Sequence, residues 1–374
     1  MKLSIEKNTF LKALNHVQSV VERRTTIPIL SHILLEAKNQ QLQLTATDLD
    51  LMVSENVQAT VKTPGSITTP AHILHDIVRK LPDNTPLQLE WNAGNNTLHL
   101  QAGRSKFALP TLPREDFPIT ATGDMPSVFQ VPAGQFKKLL QQTSFAMSNE
   151  ETRYYLNGIF FHIGDSQLYS PKSLKAVATD GHRLARSEMI MPAKSEKMPS
   201  VVVPRKTVQE LMKLLEQEDG VVTVGLSPQR MTVTFKEISL SSKLIDGNFP
   251  DYERVIPTNN QNFLEVDRLV FTAAVDRVAT ICSDKLRSIK LQIQKNNLIF
   301  SAANSELGSA VEEIEVAYEG TPIDIGFNAK YLADIMQQLG GKKAKIALSD
   351  ASSPVLISTP EDGAAVYVLM PMRI

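Results

Sequence analysis

The sequence predicts an α+β chain in which one unit, a helix followed by antiparallel strands, recurs six times and pairs off into three domains. Three observations carry this. Six segments share a polar lead and two apolar residues four apart, the stripe of an amphipathic helix. The text between them alternates apolar and polar residues around Gly, Asn, Asp and Pro, as hairpins with one buried face do. A coarser repeat, about a third of the chain long, lies over both.

The helical segments are, in order, KNTFLKAL, AHILHDIV, AGQFKKLL, RKTVQELM, DRLVFTAA and AKYLADIM. Their lead apolar residues, Phe10, Ile73, Phe136, Val208, Leu269 and Tyr331, follow at intervals of 63, 63, 72, 61 and 62 residues. The long interval contains GDSQLYSPKSLKAVATDG, whose Ser-Pro-Lys-Ser reads as an inserted loop. Hairpins are expected in HILLEAKNQQLQLTATDLDLMVSE, PLQLEWNAGNNTLHLQAG, GVVTVGLSPQRMTVTFKEISLSSKL and KIALSDASSPVLISTPEDGAAVYVLM. ATD at 46–48 recurs at 178–180, with AAN at 302–304, and FP at 117–118 recurs at 249–250. Pro-, Asp- and Asn-rich text after each FP, ITATGDMPSV and DYERVIPTNNQ, reads as a linker. The domains are then 1–124, 125–256 and 257–374. The third copy ends where the others begin a linker, which leaves MPMRI as a free tail.

A chain of 374 residues with 42% hydrophobic and 21% charged residues fits a globular protein of two or three domains. Lys plus Arg number 39 against 40 acidic residues, which excludes a uniformly basic surface but not a basic face opposite an acidic one. Cys282 stands alone, so no disulfide forms within the chain and a reducing compartment is expected. Glu6, Lys7 and Lys12 interrupt what would be a signal core, and no run approaches the roughly 18 apolar residues of a membrane span. The expected location is the cytoplasm, with no membrane partner.

ATDGHRLARSE, residues 178–188, has the look of an active site: Asp180 beside His182, with Arg183 able to hold an anion. Yet HExxH, CxxC, a Walker-type loop and a nucleophile elbow are all absent. ATD also recurs at 46–48 without a histidine, which suits a turn in which Asp48 and Asp180 bond local backbone. His72 and His75 with Asp76 offer a metal face, but no third ligand group accompanies them. No catalysis, metal or cofactor is expected. A hydrolase centred on Asp180 and His182, and a repeat scaffold for proteins alone, are the competing readings.

Repeats that bury one face stack or close into a ring. A domain of this size is roughly 36 Å across, so three in a ring leave a hole of about 6 Å and six leave about 36 Å. Duplex DNA, roughly 20 Å wide, passes only through the second. Basic residues on or beside the helices, among them Lys7, Lys12, Arg79, Lys80, Lys138, Arg205, Lys206, Lys213 and Arg268, give the modest bias a sliding ring needs.

Along its whole length the chain resembles the bacterial sliding clamps, the beta subunits of DNA polymerase III. TIPIL at 26–30, RYYLNG at 153–158, ATDGHRLA at 178–185, VPRK at 203–206, SSKLIDGNFPDYERVIP at 241–257, IGFNAKYL at 325–332 and the terminal YVLMPMRI carry the match. The resemblance implies three tandem DNA-clamp domains, each two helices packed on antiparallel sheets, in a head-to-tail dimeric ring. It implies a homodimer around double-stranded DNA that tethers the polymerase III alpha subunit, the clamp loader, other polymerases and repair proteins through short peptide motifs. The implied peptide cleft comprises Leu156, Thr179, Gly181, His182, Arg183, Leu184, Pro250, Val255, Asn328, Tyr331, Val368, Met370, Pro371, Met372 and Arg373. His182 and Arg183 are expected to hold polar groups of the peptide, and the methionines to adapt to its side chains. Implied DNA contacts are Arg24, His72, Tyr154, Tyr155, Arg205 and Lys206, with Glu150 and Glu151 making the tyrosine loop more acidic than in other members. The implied dimer seam joins Arg104, Lys106, Phe107 and Leu109 to the region of Ile281 in the partner, facing Glu306, Glu312 and Glu313.

Overall fold

The computed structural model describes residues 1–374 except 93, 95, 120–122, 284–286 and 374. The first linker read from the sequence, and the last residue of the tail, therefore fall partly or wholly outside the described residues. Six α-helices are present among those described: α1 Lys7–Val17, α2 Ala71–Lys80, α3 Ala133–Ser144, α4 Arg205–Leu214, α5 Arg268–Ala279 and α6 Ala329–Gln338.

Each helix follows a strand without an intervening loop, because the last strand residue can also start a helix. Pro70, Pro132 and Pro204 end three of these strands, and proline's fixed φ suits both an extended end and a first turn. At the other three the side chain caps the helix. Glu6 accepts from the Thr9 N–H, Asp267 from Leu269 and Val270, and Asn328 from Lys330 and Tyr331.

The predicted stripe holds at Phe10, Phe136 and Val208, which are buried, and fails at Ile73 and Leu269, which are 52% and 65% exposed. In α2 the buried residues are Ala71, Leu74 and Val78, and in α5 they are Phe271, Ala274, Val275 and Val278. The i, i+4 rule is satisfied by more than one register in these segments, and packing chose one residue on in α2 (Leu74/Val78) and two on in α5 (Phe271/Val275).

Two compact units organise the chain: residues 1–134 with 193–199 and 209–244, and residues 135–192 with 200–208 and 245–374. In the first, an eight-stranded sheet runs, in spatial order, Ser127–Pro132, Val221–Leu226, Arg230–Phe235, Ile238–Lys243, Leu51–Gln58, Gln41–Thr47, His32–Lys38 and Gly65–Pro70. A five-stranded sheet accompanies it and ends in Ser105–Pro110 as an edge strand. In the second unit an eight-stranded sheet runs Val201–Pro204, Gly158–Asp165, Lys172–Thr179, Arg183–Ile190, Asp362–Leu369, Val355–Thr359, Lys343–Leu348 and Asn262–Asp267. A four-stranded sheet there has Gly308–Glu315 at one edge. Every pairing is antiparallel. The middle third of the chain thus gives four strands to each eight-stranded sheet, so the compact units differ from thirds of the sequence.

The inserted loop is the hairpin connection between strands Gly158–Asp165 and Lys172–Thr179. The matching connection in the first third is the tight turn Asn39–Gln40, both at positive φ. The longer loop is held by bonds from the Ser166 N–H to the Pro171 carbonyl and from the Tyr169 N–H to the Ser166 hydroxyl.

Candidate functional site

Strands Lys172–Thr179 and Arg183–Ile190 pair with Thr179 opposite Leu184, so residues 180–182 form the tip of a hairpin in the second unit. Asp180 Oδ1 accepts from the N–H groups of His182 (3.0 Å) and Arg183 (3.1 Å). The Thr179 hydroxyl donates to the Arg183 carbonyl at 2.7 Å and accepts from the Gly181 N–H. The same turn appears at Thr47–Leu51, where Asp48 Oδ1 accepts from Asp50 and Leu51 and the Thr47 hydroxyl donates to the Leu51 carbonyl. Leu49 and Gly181 occupy the same position with φ of 82° and 87°. Asp180 therefore serves the backbone, as the repeat of ATD indicated.

It also serves Arg183. The guanidinium donates from Nε to Asp180 Oδ2 at 3.0 Å, from Nη1 to Asp334 Oδ2 at 2.7 Å and from Nη2 to the Phe145 carbonyl at 2.8 Å. It lies 4.3 Å above the Tyr331 ring and 4.9 Å above that of Phe145. Burial, and then the charge of Asp180, push the Tyr331 phenol above its ordinary range. Three of its five N–H donors, one on each nitrogen, are thus engaged inside the fold, which narrows the expected role of Arg183 as a free hand for a ligand. The His182 ring, exposed and stacked 6.2 Å from Tyr331, has no hydrogen bond to Asp180 among the described residues. An acid–base dyad is not assembled here.

Beside this hairpin lies a cavity of about 240 Å³ lined by Leu156, Thr179, Gly181, His182, Arg183, Leu184, Pro250, Asp251, Tyr252, Val255, Val368 and Met370. Ten of the fifteen residues expected for a peptide cleft are thus brought together. Leu156, Leu184 and Val368 form its buried floor, while Val255 and Met370 are about two-fifths exposed at its mouth. Beneath it Val177, Leu184, Tyr252 and Val368 form one cluster with Phe160 and Phe249, whose rings stack at 4.8 Å. Tyr252 donates or accepts a 2.9 Å bond with His162 Nε2, and burial raises its phenol pKa strongly. Asp251 and Tyr252 were missed by the sequence reading, although they directly follow the Phe249–Pro250 pair it used.

The other five expected cleft residues stand off this cavity. Asn328 Oδ1 is committed to capping α6, and Tyr331 lies under Arg183. The tail is not free. The Met370 N–H donates to the His182 carbonyl at 2.9 Å and the Met372 N–H to the Gly326 carbonyl at 2.8 Å, carrying Pro371 with them; Arg373 is exposed.

The expected DNA contacts divide in the same way. Arg24 is exposed in a loop and Tyr154 is 54% exposed, set edge-on against Tyr155 at 5.8 Å. Arg205 instead donates to the Met147 and Ser148 carbonyls, both at 2.6 Å, and is half-buried, as is Lys206. His72 bonds Gln18 Oε1 and the Val21 carbonyl through its two ring nitrogens, each at 3.0 Å. His75 turns to Asn15, so the two histidines do not converge on a shared ligand position. Of the other basic residues, Lys7 is buried in an ion pair with Asp83, Lys138 pairs with Asp362, and Arg268 bonds the Gly341 and Met336 carbonyls.

At the expected seam, Arg104 and Lys106 are exposed, Phe107 is half-buried and Leu109 is buried on the edge strand of the five-stranded sheet. Ile281 is half-buried just past α5. Glu312 is bound by Arg277 and so is not a free acidic partner; Glu306 and Glu313 are exposed.

The chain matches the N-terminal, central and C-terminal domain families of the DNA polymerase III beta subunit over residues 1–121, 130–251 and 253–373. It is 47% identical to the beta sliding clamp of Caulobacter vibrioides over 374 residues, all of both chains. A sliding clamp of Bartonella birtlesii solved with griselimycin bound superposes with a TM-score of 0.97 at 44% identity, covering all of both chains. A Caulobacter crescentus clamp with polyethylene glycol at a candidate beta-motif tethering region gives 0.96 at 47% identity, over 100% of this chain and 99% of that one.

Proposed function

The chain belongs to the DNA polymerase III beta-subunit family of sliding clamps, non-catalytic processivity factors, and from that premise we propose how its parts divide the work. Three domains, at 1–124, 125–256 and 257–374, pair head to tail with those of a second copy and close around duplex DNA in the cytoplasm. Arg24 and the Tyr154–Tyr155 loop face the nucleic acid and hold phosphate or stacked bases weakly enough to exchange as the ring slides, with the half-buried Lys206 adding positive charge to that surface. Arg205 and His72, whose polar atoms are used internally, shape that surface rather than grip it.

The apolar cavity beside residues 180–182 takes the short motif of a partner: the polymerase III alpha subunit, the clamp loader, another polymerase or a repair protein. The observation that carries this is the cavity itself, a buried aliphatic floor under an adaptable mouth of Val255 and Met370. His182 and Tyr331, stacked together, extend the surface toward the tail. No helix among the described residues is long and apolar enough to cross a membrane.

The deciding experiment loads the protein onto nicked circular DNA with a clamp loader and then linearises the DNA. Retention on the circle and loss from the line are expected, because topological linkage fails at a free end. Equal retention on both would sink the ring. Turnover of any substrate lost in His182→Ala would revive the hydrolase.

A further inference from the structure

A second cavity, of about 790 Å³, lies farther along the same sheet face and is lined by Asp165, Lys175, Arg186, Glu188, Glu253 and Ile256, among others. Leu184, Arg186 and Glu188 point to one side of their strand, and Thr179, Val177 and Lys175 to that side of the next, paired Thr179–Leu184, Val177–Arg186 and Lys175–Glu188. The apolar cavity thus sits at one end of this face and the charged cavity begins two residues on, about 7 Å away. The turn at Tyr252–Val255 serves both: Tyr252 and Val255 line the first, Glu253 and the following Ile256 the second. The inserted loop, through residues 165–168, supplies a wall.

The unusual feature is cationic. Lys175 is 4% exposed, yet its ammonium has no hydrogen bond or ion pair among the described residues. Arg186 Nε is buried and also without a partner. Glu188 is turned to the Ser173 hydroxyl at 2.5 Å, and neither Glu253 nor Asp165 forms an ion pair with either cation. Burial, then the charge of Arg186, hold the Lys175 pKa below its ordinary range, against the opposing charges of Glu188, Glu253 and Asp165, which line the same cavity. A buried guanidinium N–H without a partner, beside an ammonium that lines the same accessible void, is what a ligand with acceptor oxygens relieves.

We propose that this cavity is an oxyanion site, in which Lys175 and the Arg186 guanidinium together hold a carboxylate or a phosphate. The oxyanion is either an acidic residue flanking the apolar motif of a docked peptide or free orthophosphate. The peptide source rests on the reading of the neighbouring cavity; the phosphate source does not.

The test titrates the full-length protein calorimetrically with orthophosphate, with an apolar pentapeptide, and with that peptide extended by two aspartates or two asparagines. Wild type, Lys175→Met and Arg186→Met are compared, each first checked for native circular dichroism; should Lys175→Met misfold, Arg186→Met carries the comparison. The expected result is orthophosphate binding, or at least tenfold tighter binding of the aspartate than of the asparagine peptide, either being lost in the variants while the plain pentapeptide is unaffected. Phosphate binding alone identifies a free anion, and the aspartate preference alone identifies a partner's side chain. Insensitivity of both to the two substitutions overturns the site. Failure of the plain pentapeptide to bind wild type would count against the apolar cavity instead, and the phosphate titration alone would then decide this one.

Discussion

Arg183 is the residue whose role changes most between sequence and structure. Beside Asp180 and His182 it looked available to a ligand, but its three donor positions reach Asp180, Asp334 and the Phe145 carbonyl, and its faces lie over two rings. Arg183→Met should cost about 3–5 kcal/mol, because it leaves two carboxylates and a carbonyl partly buried without their partner. Urea unfolding followed by near-ultraviolet dichroism checks this, and a loss within 0.5 kcal/mol, roughly what a surface change costs, would refute it. Gly181→Ala should cost about 1–2 kcal/mol through φ of 87° alone. The Asp180 turn was legible in the sequence because its bonds span two or three residues and ATD occurs twice. The Arg183 network was not, since Asp334 and Phe145 lie 151 and 38 residues away and no local pattern announces them.

At the scale of elements, strand alternation and helix number were readable, whereas the register of a short helix was not. In α2 the pairs Ile73/Ile77 and Leu74/Val78 satisfy the same spacing, and only the sheet behind decides between them. Strands also bury what their text does not advertise. His32, bonded to the Thr68 hydroxyl, and His162, bonded to Tyr252, both have pKa values lowered mainly by burial. In the unfolded chain each takes up a proton near pH 6.5, while in the folded chain each resists it. Stability should therefore be full above that pH and fall as the pH drops below it, by up to about 1.4 kcal/mol per pH unit for each histidine. Urea midpoints between pH 7.5 and 5 measure the slope. His162→Gln should flatten it, and an unchanged slope in both His162→Gln and His32→Gln would assign it elsewhere. The tail is a further case: the sequence marked where it begins, but the Met370 and Met372 backbone bonds that hold it are long-range. Deleting residues 370–374 should abolish polymerase stimulation and leave the sedimentation of the proposed dimer unchanged.

For the molecule as a whole, the sixfold repeat and the size of a domain argue by themselves for a ring of two chains, because three domains of one chain leave a hole too small for a duplex. The seam itself came from resemblance, and structure sharpens where to probe it. Near the expected seam residues, two sheets have an exposed edge strand, Ser105–Pro110 in the first unit and Gly308–Glu315 in the second. Unpaired edges invite another strand, and natural chains protect them unless pairing is intended. The first presents Arg104 and Lys106; the second presents Glu306, Glu313 and Glu315 with Leu307 and Val311, which are 57% and 72% exposed. Opposite charges flanking apolar side chains fit pairing of these edges across the seam. Val311→Glu should then bury a carboxylate among carboxylates and weaken the dimer by roughly 2–3 kcal/mol, some thirty- to hundredfold in Kd. Because Val311 is exposed within its own chain, the thermal unfolding of the separated subunit should hardly move. Analytical ultracentrifugation across a concentration series distinguishes the outcomes. A lighter species appearing at concentrations where wild type is still dimeric, with parallel loss of retention on circular DNA, is expected. A variant that sediments as wild type does would place the seam elsewhere.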